Sequence, residues 1–247
     1  MNKEVAELAP QSIWKNFELL NQVPRPSKKE ERVIQFMLDF GNKLGLDTTR
    51  DKAGNVLIKK PATVGMENRK TVVLQSHLDM VHQKNSDTVF DFDQDPIRSL
   101  IDGEWVTADG TTLGADNGMA VAASMAILES TDIPHPALEA LFTIDEETGM
   151  TGAFSLQPGW LKGEILLNMD YEDERELCIG CAGGIDTNVT MPISRTNLDT
   201  NYVGLMFSLT GLKGGHSGVE IHLQRGNSNK ILFRLTNEIS NKFGFKV

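Results

Sequence analysis

The chain has 247 residues and a formal net charge of −10, with 40% hydrophobic and 23% charged residues, which is typical of a globular protein with a packed core. The acidic balance excludes the basic surface that a nucleic-acid-binding protein needs, and no apolar stretch is long enough to span a bilayer. The N-terminus lacks the features of a signal peptide and the two cysteines form no disulfide framework, so we expect a cytoplasmic protein with neither nucleic-acid nor membrane partners.

The first 60 residues predict two helices followed by two strands. Apolar residues at helical spacing predict a helix over 12–20. Ser27 and Glu30 have the spacing of a capping box, which predicts a second helix that begins at Ser27. Residues 46–50 and 55–59 predict two strands joined by a turn.

Three later apolar runs, 71–74, 137–144 and 164–169, predict strands that end in ionisable residues. They lead to His77 with Asp79, to Glu146 with Glu147, and to Asp170. In open α/β sheets the active site lies beyond the carboxyl ends of the strands. The sequence therefore predicts an α/β fold whose mixed, largely parallel sheet is flanked by helices and carries a site at this edge.

The chain changes character near Gly183 and Gly184. Residues 186–192 and 203–210 alternate between apolar and polar, which predicts strands, and 227–241 has helical spacing. We therefore predict a first domain over 1–183 and the start of a separate α+β domain over 184–247.

The ionisable residues at the strand ends, joined by Asp116 on a glycine-rich turn, have the chemistry of a metal site. The set His77, Asp116, Glu147 and Asp170 suits zinc, manganese or cobalt. Several carboxylates with one histidine favour two ions that share a bridging carboxylate, for which Asp116 is a candidate. Glu146 and Glu147 diverge on an extended backbone, so one can bind metal while the other takes a proton from water.

Two other patterns have weaker functional interpretations. The glycines around 110–118 could cradle a phosphate, but neither dinucleotide nor P-loop spacing is present. Cys178 and Cys181 have redox-motif spacing. They fall along a predicted strand over 175–180, and no second pair completes a zinc site, so we expect no redox role.

The chain resembles the di-zinc aminopeptidase, carboxypeptidase and aminoacylase superfamily, and within it the aminoacyl-histidine dipeptidases (Xaa-His or cytosol non-specific dipeptidases). Its superfamily motifs are Ser76-His77-Leu78-Asp79-Met80, Gly114-Ala115-Asp116-Asn117-Gly118, Asp145-Glu146-Glu147-Thr148-Gly149 and Asn168-Met169-Asp170. The narrower resemblance is carried by Gly180-Cys181-Ala182-Gly183-Gly184 and Gly214-Gly215-His216-Ser217-Gly218. It implies hydrolysis of short peptides such as β-alanyl-histidine.

The resemblance also implies a role for each metal ligand. His77 and Asp170 would bind one divalent ion and Glu147 the other, with zinc favoured over cobalt or manganese. Asp116 would bridge the two ions, and the peptide bond between Asp116 and Asn117 would be cis.

Three further residues receive catalytic roles from the resemblance. Glu146 would be the general base and acid, and Asp79 would hydrogen-bond the metal-binding histidine. His216 would stabilise the oxyanion from the second domain, which would be a lid and dimerisation domain, so a homodimer is expected.

Relatives continue past this length and supply a last metal-binding histidine that this sequence lacks after His222. We therefore expect either a piece of a longer protein or a second polypeptide that completes the catalytic domain. Two alternatives stay open: an aminoacylase or carboxypeptidase of the same superfamily, and a metal-binding fragment without catalysis.

Overall fold

The structure, a computed structural model, describes residues 1–171, 175–181, 183, 185, 187–195, 197, 201–215 and 220–244. The chain divides into two compact units, Met1–Cys181 and Ala182–Val247. The predicted boundary between 183 and 184 lies two residues farther along, and the roles assigned to the two domains stay predictions. No helix in the described ranges is long and apolar enough to cross a membrane.

The first unit contains six helices and seven strands among its described residues. The helices are α1 (Lys3–Ala6), α2 (Gln11–Asn21), α3 (Glu31–Lys43), α4 (Ala115–Glu129), α5 (Glu146–Gly149) and α6 (Thr151–Phe154). The strands are β1 (Asp47–Arg50), β2 (Val56–Lys60), β3 (Val72–His77), β4 (Ser99–Asp102), β5 (Trp105–Ala108), β6 (Leu138–Thr143) and β7 (Ile165–Asn168).

Five of these strands form one mixed sheet in the order β1-β2-β6-β3-β7. The pairs β1–β2 and β2–β6 are antiparallel, whereas β3 is parallel to both of its neighbours, β6 and β7. In this register His77 lies opposite Thr143, and Gln75 lies opposite Asn168. The carboxyl ends of β3, β6 and β7 therefore meet at one edge. This mixed sheet with flanking helices confirms the predicted fold class.

Both faces of the central strands are buried because successive side chains point to opposite faces of the sheet and apolar residues occur on both. On one face, Val56 and Ile58 of β2 join apolar residues of α2, α3 and α4 in the main core cluster. On the other face, Leu57 packs with Val73 and Leu141 in a smaller cluster. The ends of β3 and β6 are thus fixed by a rigid, doubly covered sheet.

Several predictions about local structure were wrong. The second helix begins at Glu31, and Glu30 makes no side-chain capping bond, so the capping box does not form. In the described parts of the predicted strands over 175–180, 186–192 and 203–210, no strand is present, and Asp186 lies outside the described residues. Alternation favours an extended chain, but a strand also needs a hydrogen-bonded neighbour.

The predicted helix of the second unit is confirmed as α7 (Ser228–Phe243). Its N-terminus is capped by Asn227, whose side chain accepts a hydrogen bond from the main-chain N–H of Lys230. The helix ends at Gly244, which has a φ of 68° and adopts the left-handed conformation common at helix C-termini.

Candidate metal centre

His77 lies at the carboxyl end of β3 with only 1% of its surface exposed, and carboxylates from other elements surround its ring. Its Nε2 atom lies 3.1 Å from Oδ1 of Asp116, 3.5 Å from Oδ1 of Asp170 and 3.9 Å from Oε2 of Glu146. Glu146 and Asp170 reach His77 because β3, β6 and β7 end at the same edge, and Asp116 reaches it from the start of α4.

Two groups of side chains that share His77 could hold a metal ion at this edge. One contains His77, Glu146 and Asp170, and the other contains His77, Asp116 and Glu147. Within each group, one ligand atom from every residue lies within 4.8 Å of the others. The structure thus brings all four predicted ligands and the predicted base into one cluster, while the role of each residue in it stays a prediction.

The charges of this cluster fit a divalent cation. Burial and the nearby carboxylate of Asp116 raise the pKa of Glu147 to about 7. Burial alone would lower the pKa of His77, but hydrogen bonds to Asp116, Asp170 and Asp79 outweigh it and raise that pKa to about 12. A divalent cation would offset the repulsion among the carboxylates, and the raised pKa of His77 shows that this environment stabilises positive charge. Carboxylate oxygens with an imidazole nitrogen are a donor set that suits zinc.

Asp79 is fully buried, and its carboxylate connects His77, Ser27 and the turn that carries Glu146 and Glu147. Its Oδ1 accepts a hydrogen bond from the main-chain N–H of Glu146 at 3.0 Å and lies 3.3 Å from Nδ1 of His77. Its Oδ2 accepts from the hydroxyl of Ser27 at 2.8 Å and from the N–H of Glu147 at 3.2 Å. Burial alone would raise the pKa of Asp79, but these donors, His77 first, lower it to about 2.

The acidic turn after β6 is helical, so the expectation that Glu146 and Glu147 lie on extended backbone was wrong. Asp145 adopts the left-handed conformation with a φ of 52°, and α5 begins at the next residue. The Asp145 carboxylate accepts hydrogen bonds from the hydroxyls of Thr148 and Thr151. Only two of the three consecutive acids therefore join the metal-binding groups that include His77.

The glycine-rich turn presents Asp116 through an irregular start of α4, where the dihedral angles of Asp116 and Asn117 are not helical. The predicted cis peptide bond between these two residues is confirmed. The Asn117 side chain accepts from the main-chain N–H of His77 at 3.3 Å and donates to Oδ1 of Asp170. The amide thus links three segments of the site; the sequence motif contains Asn117 but gave its side chain no role.

The comparisons with known proteins agree with this architecture. No family model matches the chain. The cytosol non-specific dipeptidase of Escherichia coli K12 is 50% identical over 231 residues, which are 94% of this chain and 48% of that protein. The solved structure of aminoacylhistidine dipeptidase from Vibrio alginolyticus is 48% identical, with a TM-score of 0.73 over 97% of this chain and 49% of that one.

The chain belongs to the same family as these two dipeptidases. It spans about half the length of each of them. A tripeptidase from Staphylococcus aureus, 23% identical with a TM-score of 0.56 over 66% of this chain and 44% of that one, shares the fold. The resemblance recognised in the sequence is therefore confirmed.

Two sequence features remain: the histidine assigned to the oxyanion and the pair of cysteines with redox-motif spacing. His216, the predicted oxyanion-stabilising residue, lies outside the described residues, and its role stays a prediction. Cys178 and Cys181 are exposed and free.

Proposed function

We propose that the protein is a metal-dependent dipeptidase that hydrolyses short peptides, with a preference for Xaa-His dipeptides such as β-alanyl-histidine. The observation that carries the proposal is the cluster of one histidine and four carboxylates at the carboxyl edge of the sheet. Its family supports the reaction class, since the Escherichia coli relative is named a dipeptidase. The name of the Vibrio relative supports the Xaa-His preference.

Two divalent ions, with zinc favoured, would be held by His77 and Asp170 on one side and Glu147 on the other, with Asp116 between them. When bound, such ions polarise the peptide carbonyl group and lower the pKa of water. The overlap of the two metal-binding groups at His77 and the position of Asp116 beside its Nε2 support this arrangement.

Glu146 would accept a proton from the attacking water at its carboxylate and pass it to the leaving amine. Burial raises the pKa of Glu146, and the neighbouring carboxylate of Asp170 adds to this effect. A general base is most effective when its pKa lies near the working pH. Its side chain is 33% exposed, which lets water reach it.

Asp79 would hold the site rather than react. Because its carboxylate accepts hydrogen bonds from the N–H groups of both Glu146 and Glu147, it fixes the main-chain positions of the base and the neighbouring ligand. His216 as an oxyanion-stabilising residue, a homodimer and a cytoplasmic location complete the proposal.

The roles of the two adjacent glutamates are tested by a matched pair of variants of the full-length protein. Glu146→Gln is expected to lower kcat at least 100-fold with two zinc ions still bound, since general base catalysis contributes about 10²–10⁴-fold. Glu147→Gln is expected to lose zinc affinity itself. Hydrolysis of β-alanyl-histidine and zinc stoichiometry are measured on both variants.

Equal loss of zinc in both variants contradicts the division of roles. Assays with N-acetyl amino acids provide the control for substrate class, because cleavage of those alone indicates an aminoacylase. Zinc uptake by the unaltered protein without turnover of either substrate indicates a binding protein.

A further inference from the structure

The segment between α2 and α3 contains three buried polar residues that the proposed reaction does not use. Arg25, Ser27 and Glu30 are exposed by 1%, 6% and 5% of their surfaces. We call these three residues the brace. Each of them contacts at least one segment of the metal centre.

Arg25 joins the end of β3 to the glycine-rich turn. Its Nη1 atom donates to the main-chain carbonyl groups of Leu78, at 3.2 Å, and Asp79, at 3.4 Å. Its Nη2 atom donates to the carbonyl of Gly114 at 2.6 Å, two residues before Asp116. A planar guanidinium reaches both groups at once because its donors form a rigid fork, whereas a lysine ammonium is a single point charge.

The glycine-rich turn is shaped around this guanidinium. A Cβ atom at Gly114 would lie 2.5 Å from Nη2 of Arg25, and one at Gly118 would lie 2.6 Å from the same atom. Glycine at both positions therefore lets the turn approach the buried cation closely. Burial lowers the pKa of Arg25 to about 10, and the negative charges of Asp79 and Asp116 oppose this lowering.

Ser27 makes a second contact with the segment after β3, and Glu30 reaches the turn after β6. The Ser27 hydroxyl donates to Oδ2 of Asp79 at 2.8 Å and contacts the carbonyl of Met80 at 3.2 Å. Oε1 of Glu30 accepts from the main-chain N–H of Asp145 at 3.1 Å, immediately before the turn that carries Glu146. The brace thus contacts all three segments that follow β3, precede α4 and follow β6.

We propose that the brace is a positioning device that sets the spacing of His77, Asp116 and the Glu146–Glu147 turn, and so determines the affinity of the centre for metal. The proposal rests on the metal centre proposed above. The side chains of the brace stay behind the ligands. They act through main-chain carbonyl and N–H groups of the ligand-bearing segments and, for Ser27, through the carboxylate of Asp79.

The test compares Arg25→Lys with Arg50→Lys in the full-length protein. Arg50 makes a bidentate pair with the exposed Glu31, so the control loses the same fork away from the centre. Zinc affinity is measured by competition with a chromophoric chelator, and thermal unfolding is measured with zinc removed. Outer residues that orient ligands change metal affinity by about 10–100-fold, so Arg25→Lys is expected to weaken zinc binding at least tenfold and the control less than twofold.

A residue that only stabilises the fold would lower the unfolding temperature of the zinc-free protein and leave affinity unchanged. Unchanged zinc affinity in folded Arg25→Lys therefore overturns the proposal. If that variant does not fold, Ser27→Ala decides, since it removes one hydroxyl; a loss of affinity supports the brace and an unchanged affinity overturns it. Failure of the unaltered protein to bind zinc overturns the metal centre together with the brace.

Discussion

Replacing Asp79 by asparagine tests how much the buried carboxylate stabilises the fold. Both oxygens of Asp79 accept hydrogen bonds from main-chain N–H groups, Oδ1 from Glu146 and Oδ2 from Glu147. An amide has only one acceptor oxygen, so in either orientation its NH₂ group faces a donor. A buried donor left without an acceptor costs about 1–3 kcal/mol.

The pKa of Asp79 gives a second route to the magnitude. The folded chain lowers this pKa from 3.8 to about 2. At about 1.4 kcal/mol for each pKa unit, the lowering stabilises the folded state by about 2 kcal/mol. Because the pKa is lower in the folded than in the unfolded chain, this stabilisation is complete above pH 3.8 and is lost as the pH falls toward 2.

We therefore expect Asp79→Asn to destabilise the zinc-free protein by about 2–3 kcal/mol at pH 7, which corresponds to a decrease of about 5–10 °C in Tm. Thermal unfolding followed by circular dichroism in the presence of a chelator measures this decrease. Asp93→Asn is the matched control, since Asp93 pairs with Lys29 at the surface and such pairs contribute little. A Tm within 1 °C of the unaltered protein would refute the reasoning.

Three further predictions concern pH, packing and metal. Burial raises the pKa of Glu30, so its ionisation destabilises the fold as the pH rises above 4.5. The Tm of Glu30→Gln minus the Tm of the unaltered protein should therefore be larger at pH 8 than at pH 4. An equal difference at both pH values contradicts this. Gly152→Ala should destabilise by about 1–3 kcal/mol in urea unfolding, because its Cβ would lie 2.6 Å from the main-chain nitrogen of Ile144, whereas Gly204→Ala meets no atom within 4 Å and serves as control. Zinc at 100 times its Kd should stabilise the chelator-treated protein by about 2.7 kcal/mol for each ion bound in the same assay, and no change argues against a metal centre.

The sequence by itself determined where the five strands of the main sheet lie along the chain and which ionisable residues follow three of them. The apolar run before His77 and the largely apolar run before Glu146 favour central strands of an α/β sheet, which are buried on both faces. Because parallel strands place their carboxyl ends at one edge, the sequence also indicated that His77, Glu146 and Asp170 would meet.

Only the tertiary structure decided what holds those residues in place. Ser27 and Glu30 have the spacing of a capping box, but Ser27 binds Asp79 and Glu30 binds the N–H of Asp145, since both are buried beneath the site. No sequence pattern indicated the role of Arg25, because its partners are carbonyl groups 53 to 89 residues away. Spacing records local geometry, whereas a buried polar side chain is satisfied by whichever distant group the fold brings to it.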